Sequence, residues 1–178
     1  MTNLYEEIYK LKTLLRKGWV IRSACKDRYE SDAEHIFSSC ILALEIINKE
    51  HLSLNQEKVL KMILYHEIGE IDAGDFTPKD KITKEEKYNL ERIGVSRISQ
   101  ECNMPEILDL WLEFEENKTP EAQFVKRIDK LDAIMQSQIY EKQIDCKGLS
   151  QEFYETSKDI VCGFDKYIFN NKEDETME

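Results

Sequence analysis

Three histidines stand in this 178-residue sequence, His35, His51 and His66. His51 closes a helical stretch, where positive charge is mildly favourable, and reads as a solvated helix end. His35 and His66 differ. Each sits in a largely apolar helical stretch with acids alongside, Glu34 beside His35, and Glu67 and Glu70 after His66. In Tyr65-His66-Glu67-Ile68-Gly69-Glu70, neighbouring residues of a regular helix point about 100° apart. His66 and Glu67 can therefore share one ion only where the helix frays or ends, and Gly69, with Gly74 after it, offers such an end. Glu70 lies one turn on and can face the same cavity without being a ligand, and Asp75 follows on the loop. In Phe124-Val125-Lys126-Arg127-Ile128-Asp129-Lys130-Leu131-Asp132, Asp129 falls beside the apolar stripe through Ile128 and Leu131. A carboxylate near an inward face needs a partner, because burying an unpaired charge is costly. Two imidazoles and two carboxylates would satisfy one divalent cation. Mixed nitrogen and oxygen ligation suits manganese, cobalt, iron, nickel or zinc better than calcium. The same residues admit a plainer reading, as histidines hydrogen-bonded within a core. A zinc-protease HExxH is excluded, since position 70 is Glu where the second His would stand.

The elements that must position these residues are helices. Apolar spacing and cap signals predict them at about 3–17, 32–51, 56–70, 83–102, 104–117, 120–145 and 150–170. Ser31 with Glu34, and Thr83 with Glu86, make capping boxes. Thr119-Pro120-Glu121 sets a cap, a first-turn proline and an acid, and Ser150 opens the last helix. Phe37, Ile41, Leu44 and Ile47 form one stripe, Val59, Met62 and Ile63 a second, and Phe124, Ile128, Leu131 and Met135 a third. All three are expected to face inward. Strand signals are weak throughout, and residues 71–78 read as a loop punctuated by Gly74 and Pro78. The expected fold is an all-α globular helical bundle, a single domain over 1–178 with a polar tail fraying from about 170.

Composition narrows the function. A net charge of -11 disfavours nucleic acid as a partner, but not a small phosphorylated substrate, whose pocket a bound cation can make locally positive. No apolar run approaches the roughly 20 residues of a membrane span, and the N-terminal residues lack the pattern of a secretory signal. The five cysteines, Cys25, Cys40, Cys102, Cys146 and Cys162, are odd in number and form no CxxC pair. That fits reduced thiols in a cytoplasm.

The motifs occur in a telling order: Ala33-Glu34-His35, then Tyr65-His66-Glu67-Ile68-Gly69-Glu70, then Gly74-Asp75, then Lys126-Arg127-Ile128-Asp129-Lys130-Leu131-Asp132. This resembles the HD-domain superfamily, whose pattern is H…HD…D. More narrowly it resembles the small 5′-deoxynucleotidase branch, of the HD-domain-containing protein 2 type, whose second motif reads like HDxxExxxGD and last like KxxDxLD. Gly18-Trp19-Val20-Ile21-Arg22 is similar to that branch's entry segment, and the likeness runs from about residue 10 to 145. One position departs: the family's name-giving aspartate is here Glu67, with the same charge on a stem one methylene longer. Its oxygen would be displaced unless the backbone shifts.

The resemblance implies an HD-domain phosphohydrolase hydrolysing (deoxy)nucleoside 5′-monophosphates to nucleoside and phosphate. It implies His35, His66, Glu67 and Asp129 as ligands of one divalent ion. Glu70 would orient or deprotonate the attacking water, and Asp75 would be the second acid near the phosphate or leaving group. Arg22 would contact phosphate and Trp19 would pack on the sugar. From the residues alone, Trp19 is equally a core tryptophan and Arg22 equally a surface residue. Asp132 reads as an outer partner of the site, or of Lys130 or Arg127. The family further implies a homodimer. Glu67 leaves a second reading open, a catalytically weak or inactive HD-domain protein that binds a nucleotide or a partner.

Overall fold

The capping signals at Ser31, Thr83 and Thr119 start their helices where expected. The structure is a computed structural model that describes residues 4–25, 27–77, 79–144 and 147–169. The polar tail from about 170, and Cys146, lie outside the described residues. The element order is α1 (Leu4–Thr13), α2 (Lys17–Val20), α3 (Asp32–Glu50), α4 (Gln56–Tyr65), α5 (Glu70–Ala73), α6 (Lys84–Glu101), α7 (Pro105–Glu116), α8 (Pro120–Ile144), α9 (Leu149–Val161) and α10 (Asp165–Phe169). Ser31 with Glu34 and Thr83 with Glu86 form complete capping boxes. Thr119 Oγ1 accepts from the Ala122 N–H at the head of α8. Among the described residues the extended pairing is a single bridge, Leu15 to Ser31, and no helix is long and apolar enough to cross a membrane.

Three expected helices are split. The first ends at Thr13, where Leu15 bridges to Ser31, and resumes as the short α2. The third ends at Tyr65. The last begins at Leu149 behind Gly148, one residue before Ser150, whose hydroxyl instead donates to Glu141. It then breaks between Val161 and Asp165, where Gly163 adopts a φ of 89°.

Helix α8 forms the centre, packed on α9, α3, α4 and α7. Ile128, Leu131 and Ile134 of α8 meet Ile46 and Ile47 of α3, Val59, Met62 and Ile63 of α4, and Trp111 of α7 in one core. Burying such aliphatic side chains stabilises by about 1.5–3 kcal/mol each. The α3 stripe is corrected by the structure. Phe37 and Ile41 face outward, 69% and 54% exposed, and the inward face carries Asp32, His35, Ser39, Ala43 and Ile46. Helix α3 bears two apolar stripes, and the polar residues on the buried one hide it from periodicity.

Four residues cannot hold a helix by themselves, because nucleation is unfavourable. Helix α5 is therefore fixed from outside. Arg97 of α6 donates through Nε and Nη2 to the two Asp72 oxygens, at 2.7 and 2.9 Å, and through Nη2 to Glu7 of α1 at 2.9 Å. The chain entering α5 also touches α6 closely: a Cβ on Gly69 would lie 2.7 Å from Glu91 Cβ and 3.1 Å from its Cα. Gly69→Ala is expected to cost about 1–3 kcal/mol, the usual penalty of overpacking, as a lowered midpoint in urea unfolding. An unchanged midpoint would show the contact to be soft.

Candidate metal centre and active site

His35 stands in the first turn of α3, fully buried. His66 and Glu67 stand where α4 stops. Past Tyr65 the backbone tightens, the N–H groups of Ile68, Glu70 and Ile71 each bonding to the carbonyl three residues back. This break turns two consecutive side chains toward one point, so that His66 Nε2 and Glu67 Oε1 are 3.4 Å apart. It also lets the longer Glu67 stem bring its oxygen within 3.7 Å of His35 Nε2. Asp129 comes from the middle of α8, its Oδ1 3.3 Å from the same Nε2. One donor atom from each of His35, His66, Glu67 and Asp129 lies within 4.8 Å of all the others, and all four residues are buried.

The hydrogen bonds behind the rings occupy one nitrogen of each histidine. His35 Nδ1 is 2.7 Å from Asp132 Oδ2, and His66 Nδ1 is 2.7 Å from the Ile63 carbonyl oxygen. A carbonyl can only accept, so His66 carries its proton on Nδ1, and Asp132 holds His35 likewise. Both Nε2 atoms are then left without a hydrogen-bond partner, buried and facing the carboxylates of Glu67 and Asp129. Orphaned ring nitrogens backed by an acceptor on the far nitrogen are the arrangement of metal-ligating histidines. Bond lengths of about 2.0–2.2 Å suit this donor set with small adjustments. The residues present therefore fit a divalent ion.

The acids divide into two electrostatic groups. Burial works against the charge on Glu67, but His66, Arg16 and His35 overcome it and hold the carboxyl well below the usual range. Burial likewise opposes the charge on Asp129, which Lys130 and His35 hold well below normal. On the other side, burial and then Glu67 push Glu70 well above the ordinary carboxyl value. Burial raises Asp75 too, and burial followed by Glu67 pushes Asp32 up to about 8. The donor atoms of Asp32, Glu70 and Asp75 lie within 4.8 Å of one another. Carboxyl groups whose environments drive them apart in this way suit different roles, charged metal ligands in one group and proton carriers in the other.

These groups face a cavity of about 350 Å³ whose lining includes His66, Glu67, Glu70, Asp75 and Asp129. The structure thus gathers six of the expected site residues. Trp19 and Arg22 are placed elsewhere, in the wall of an adjoining cavity. Trp19 is buried between Phe153 and Tyr140, and its Nε1 donates to Glu30 at 2.8 Å. Arg22 is bonded to Glu152 and to the Gly18 carbonyl, so it does not reach the metal-ligand cluster. The cations that do reach it are Arg16, 3.0 Å from Glu67 Oε1, and Lys130, 2.8 Å from Asp129 Oδ2. Sequence reasoning missed Arg16 because it fell at the end of a helix read as continuous to 17. Extended backbone at 14–16 turns its side chain inward instead. Lys87, 3.3 Å from Glu70, was missed as well, in the charged first turn Lys84-Glu85-Glu86-Lys87 of its helix.

The HD-domain family profile matches residues 8–167. A 5′-deoxynucleotidase HDDC2 of Dictyostelium discoideum is 39% identical over 160 residues, 84% of this chain and 83% of the relative. A 5′-deoxynucleotidase hdd1 of Schizosaccharomyces pombe is 37% identical over 150 residues, 80% of this chain and 73% of the relative. A crystal structure described as a predicted metal-dependent phosphohydrolase from Magnetospirillum magnetotacticum superposes with a TM-score of 0.62 at 26% identity, covering 88% of this chain and 89% of that one. With the profile match running over nearly the whole sequence, and with relatives this similar, the chain belongs to the HD-domain family.

Proposed function

We propose that the chain is a metal-dependent phosphohydrolase that converts (deoxy)nucleoside 5′-monophosphates to nucleoside and inorganic phosphate. The observation that carries this is the pair of orphaned Nε2 atoms of His35 and His66 converging with Glu67 and Asp129 at the floor of a charged cavity. The relatives named as 5′-deoxynucleotidases favour a nucleotide as the phosphoester.

His35, His66, Glu67 and Asp129 would hold one divalent ion: manganese, cobalt, iron, nickel or zinc. When bound, such an ion supplies Lewis acidity and neutralises phosphate charge. Five cations line the cavity, Arg16, Lys84, Lys87, Lys126 and Lys130, against six carboxylates. The two positive charges of a bound divalent ion would leave that lining net positive, which suits a phosphomonoester dianion. Arg16 and Lys130 face the phosphoryl oxygens. Glu70 takes the proton of the attacking water, as a positioned carboxylate can; burial and then Glu67 hold its carboxyl well above the ordinary range. Asp75, held by the Lys17 N–H at 2.5 Å, delivers a proton to the departing nucleoside oxygen.

The deciding experiment is phosphate release from a panel of ribo- and deoxyribonucleoside 5′-monophosphates, with manganese or cobalt and with chelator. Metal-dependent release from some members is expected. No release from folded, metal-loaded protein would move the reading to a nucleotide-binding or partner-binding protein.

A homodimer belongs to the same reading. Phe37 and Ile41 on α3 and Ile139 on α8 share one outward face, each at least half exposed. That face is largely uncharged on a chain of net charge -11, so two copies repel least there, and exposed apolar patches mark interaction sites. Light scattering is expected to give twice the monomer mass, and Phe37→Glu the monomer mass. A wild-type monomer would remove the dimer. A cytoplasmic location is proposed on the thiols: Cys25, Cys40, Cys102 and Cys162 are all free.

A further inference from the structure

Glu70 is the first residue of α5, a four-residue helix too short to orient a side chain by its own rigidity. Its carboxyl is buried, and its two oxygens are placed differently. Oε1 lies 3.3 Å from Lys87 Nζ, while Oε2 has no hydrogen-bond partner. Charged groups face Glu70 from several elements. Glu67 just past α4, Asp75 just past α5 and Asp32 on α3 oppose its charge, and Lys87 on α6 favours it. With these acids around the carboxyl, the attraction of Lys87 sets which way it turns.

Lys87 is itself held. Its Nζ lies 3.1 Å from Oε1 of Glu91, one turn further along α6. Burial opposes the charge on Lys87, but Glu70 and Glu91 overcome it and raise its pKa, so the ammonium persists. The next residue, Tyr88, stacks on the core residue Trp111 at 5.3 Å and anchors this turn of α6. Glu91 also fixes the backbone just before Glu70, since a Cβ on Gly69 would lie 3.1 Å from Glu91 Cα. Further along, a Cβ on Gly94 would lie 3.1 Å from Asp72 Cβ, and Arg97 donates to both Asp72 oxygens. Positions 87, 91, 94 and 97 recur at helical spacing. One face of α6 is thus the surface on which residues 69–72 are laid.

We propose that Lys87 is a positioning residue for the hydrolysis: by holding Oε1 it fixes the Glu70 carboxyl in one orientation and keeps Oε2 as the acceptor for the proton of the attacking water. The inference rests on the hydrolase reading above, with Glu70 as the base. It gives Lys87 a task different from that of Arg16 and Lys130, which bond to the carboxylates of Glu67 and Asp129. Because Lys87 also lines the charged cavity, a direct phosphoryl contact is the competing role. The two make different demands. A phosphoryl contact acts on the binding of substrate and product. A positioning contact acts on turnover, and only while Glu70 has a carboxylate to position.

The test is a double-mutant cycle on Lys87 and Glu70, read in metal-loaded protein whose folding is checked by circular dichroism. Lys87→Met removes the charge and keeps most of the side chain. It should lower kcat about 10–100-fold, the cost of a displaced catalytic group. KM and the inhibition constant of inorganic phosphate should stay within about twofold, and metal content should be unchanged. Lys87→Arg, which restores a cation, should recover most of the rate. In the Glu70→Gln background, Lys87→Met should change kcat by no more than about twofold. A phosphate inhibition constant that rises while kcat holds overturns the proposal and makes Lys87 a phosphoryl contact. The full loss of kcat persisting in the Glu70→Gln background overturns it as well. If wild-type protein holds metal yet hydrolyses no nucleotide, the activity reading fails. Crystal structures of wild type and Lys87→Met then decide the clamp by themselves: a Glu70 carboxyl turned away from its wild-type orientation supports it, and one left in place refutes it.

Discussion

Asp129→Ala is expected to lose bound metal and turnover together. The carboxylate supplies one of four converging donors, 3.3 Å from His35 Nε2, and its loss also leaves Lys130 without its 2.8 Å partner. Removing an outer partner of a metal ligand costs about 10–100-fold in affinity or activity. Removing a ligand should exceed that range, taking manganese affinity down by more than about 100-fold and phosphate release to background. Asp132→Asn provides the graded comparison, since Asp132 grips His35 from behind at 2.7 Å; its loss should fall within the 10–100-fold range. Metal content after dialysis, manganese titration and phosphate release measure all three quantities. Stoichiometric metal in Asp129→Ala, with activity within tenfold of wild type, would sink the ligand assignment.

Glu70→Gln should behave in the opposite way, keeping metal and losing rate. Glu70 is buried, and its Oε1 is 3.3 Å from Lys87. Its Oε2 has no hydrogen-bond partner and belongs to none of the contacts around the two histidines. An orphaned, buried oxygen at the wall of the charged cavity is where a water would be held and relieved of its proton. Glutamine keeps the shape and removes the basicity, so turnover should fall by about 10²–10⁴-fold, the usual worth of a positioned general base. Metal content should be unchanged. Wild-type turnover in Glu70→Gln would show that the proton goes elsewhere, with Asp75 the next residue to replace.

The four residues that the structure brings together, His35, His66, Glu67 and Asp129, were legible in the sequence, as were the helices that carry them. Caps and apolar spacing are interactions between residues three or four apart. Ser31 and Thr83 therefore announce α3 and α6 whatever else the chain does. The stop after Tyr65 was legible in outline too, because Gly69 and the need for His66 and Glu67 to converge both point to it. Tertiary packing decided the rest. It chose which apolar stripe of α3 turned inward, burying Ala43 and Ile46 and leaving Phe37 outside. It brought Arg16 to Glu67 across 51 residues and Arg22 to Glu152 across 130. Contacts at such separations leave no periodic trace, because each side chain's local setting is the same whether its partner is present or absent. The metal chemistry is thus written in short local motifs, while the shape of the adjoining cavity exists only once α8 and α9 have packed together.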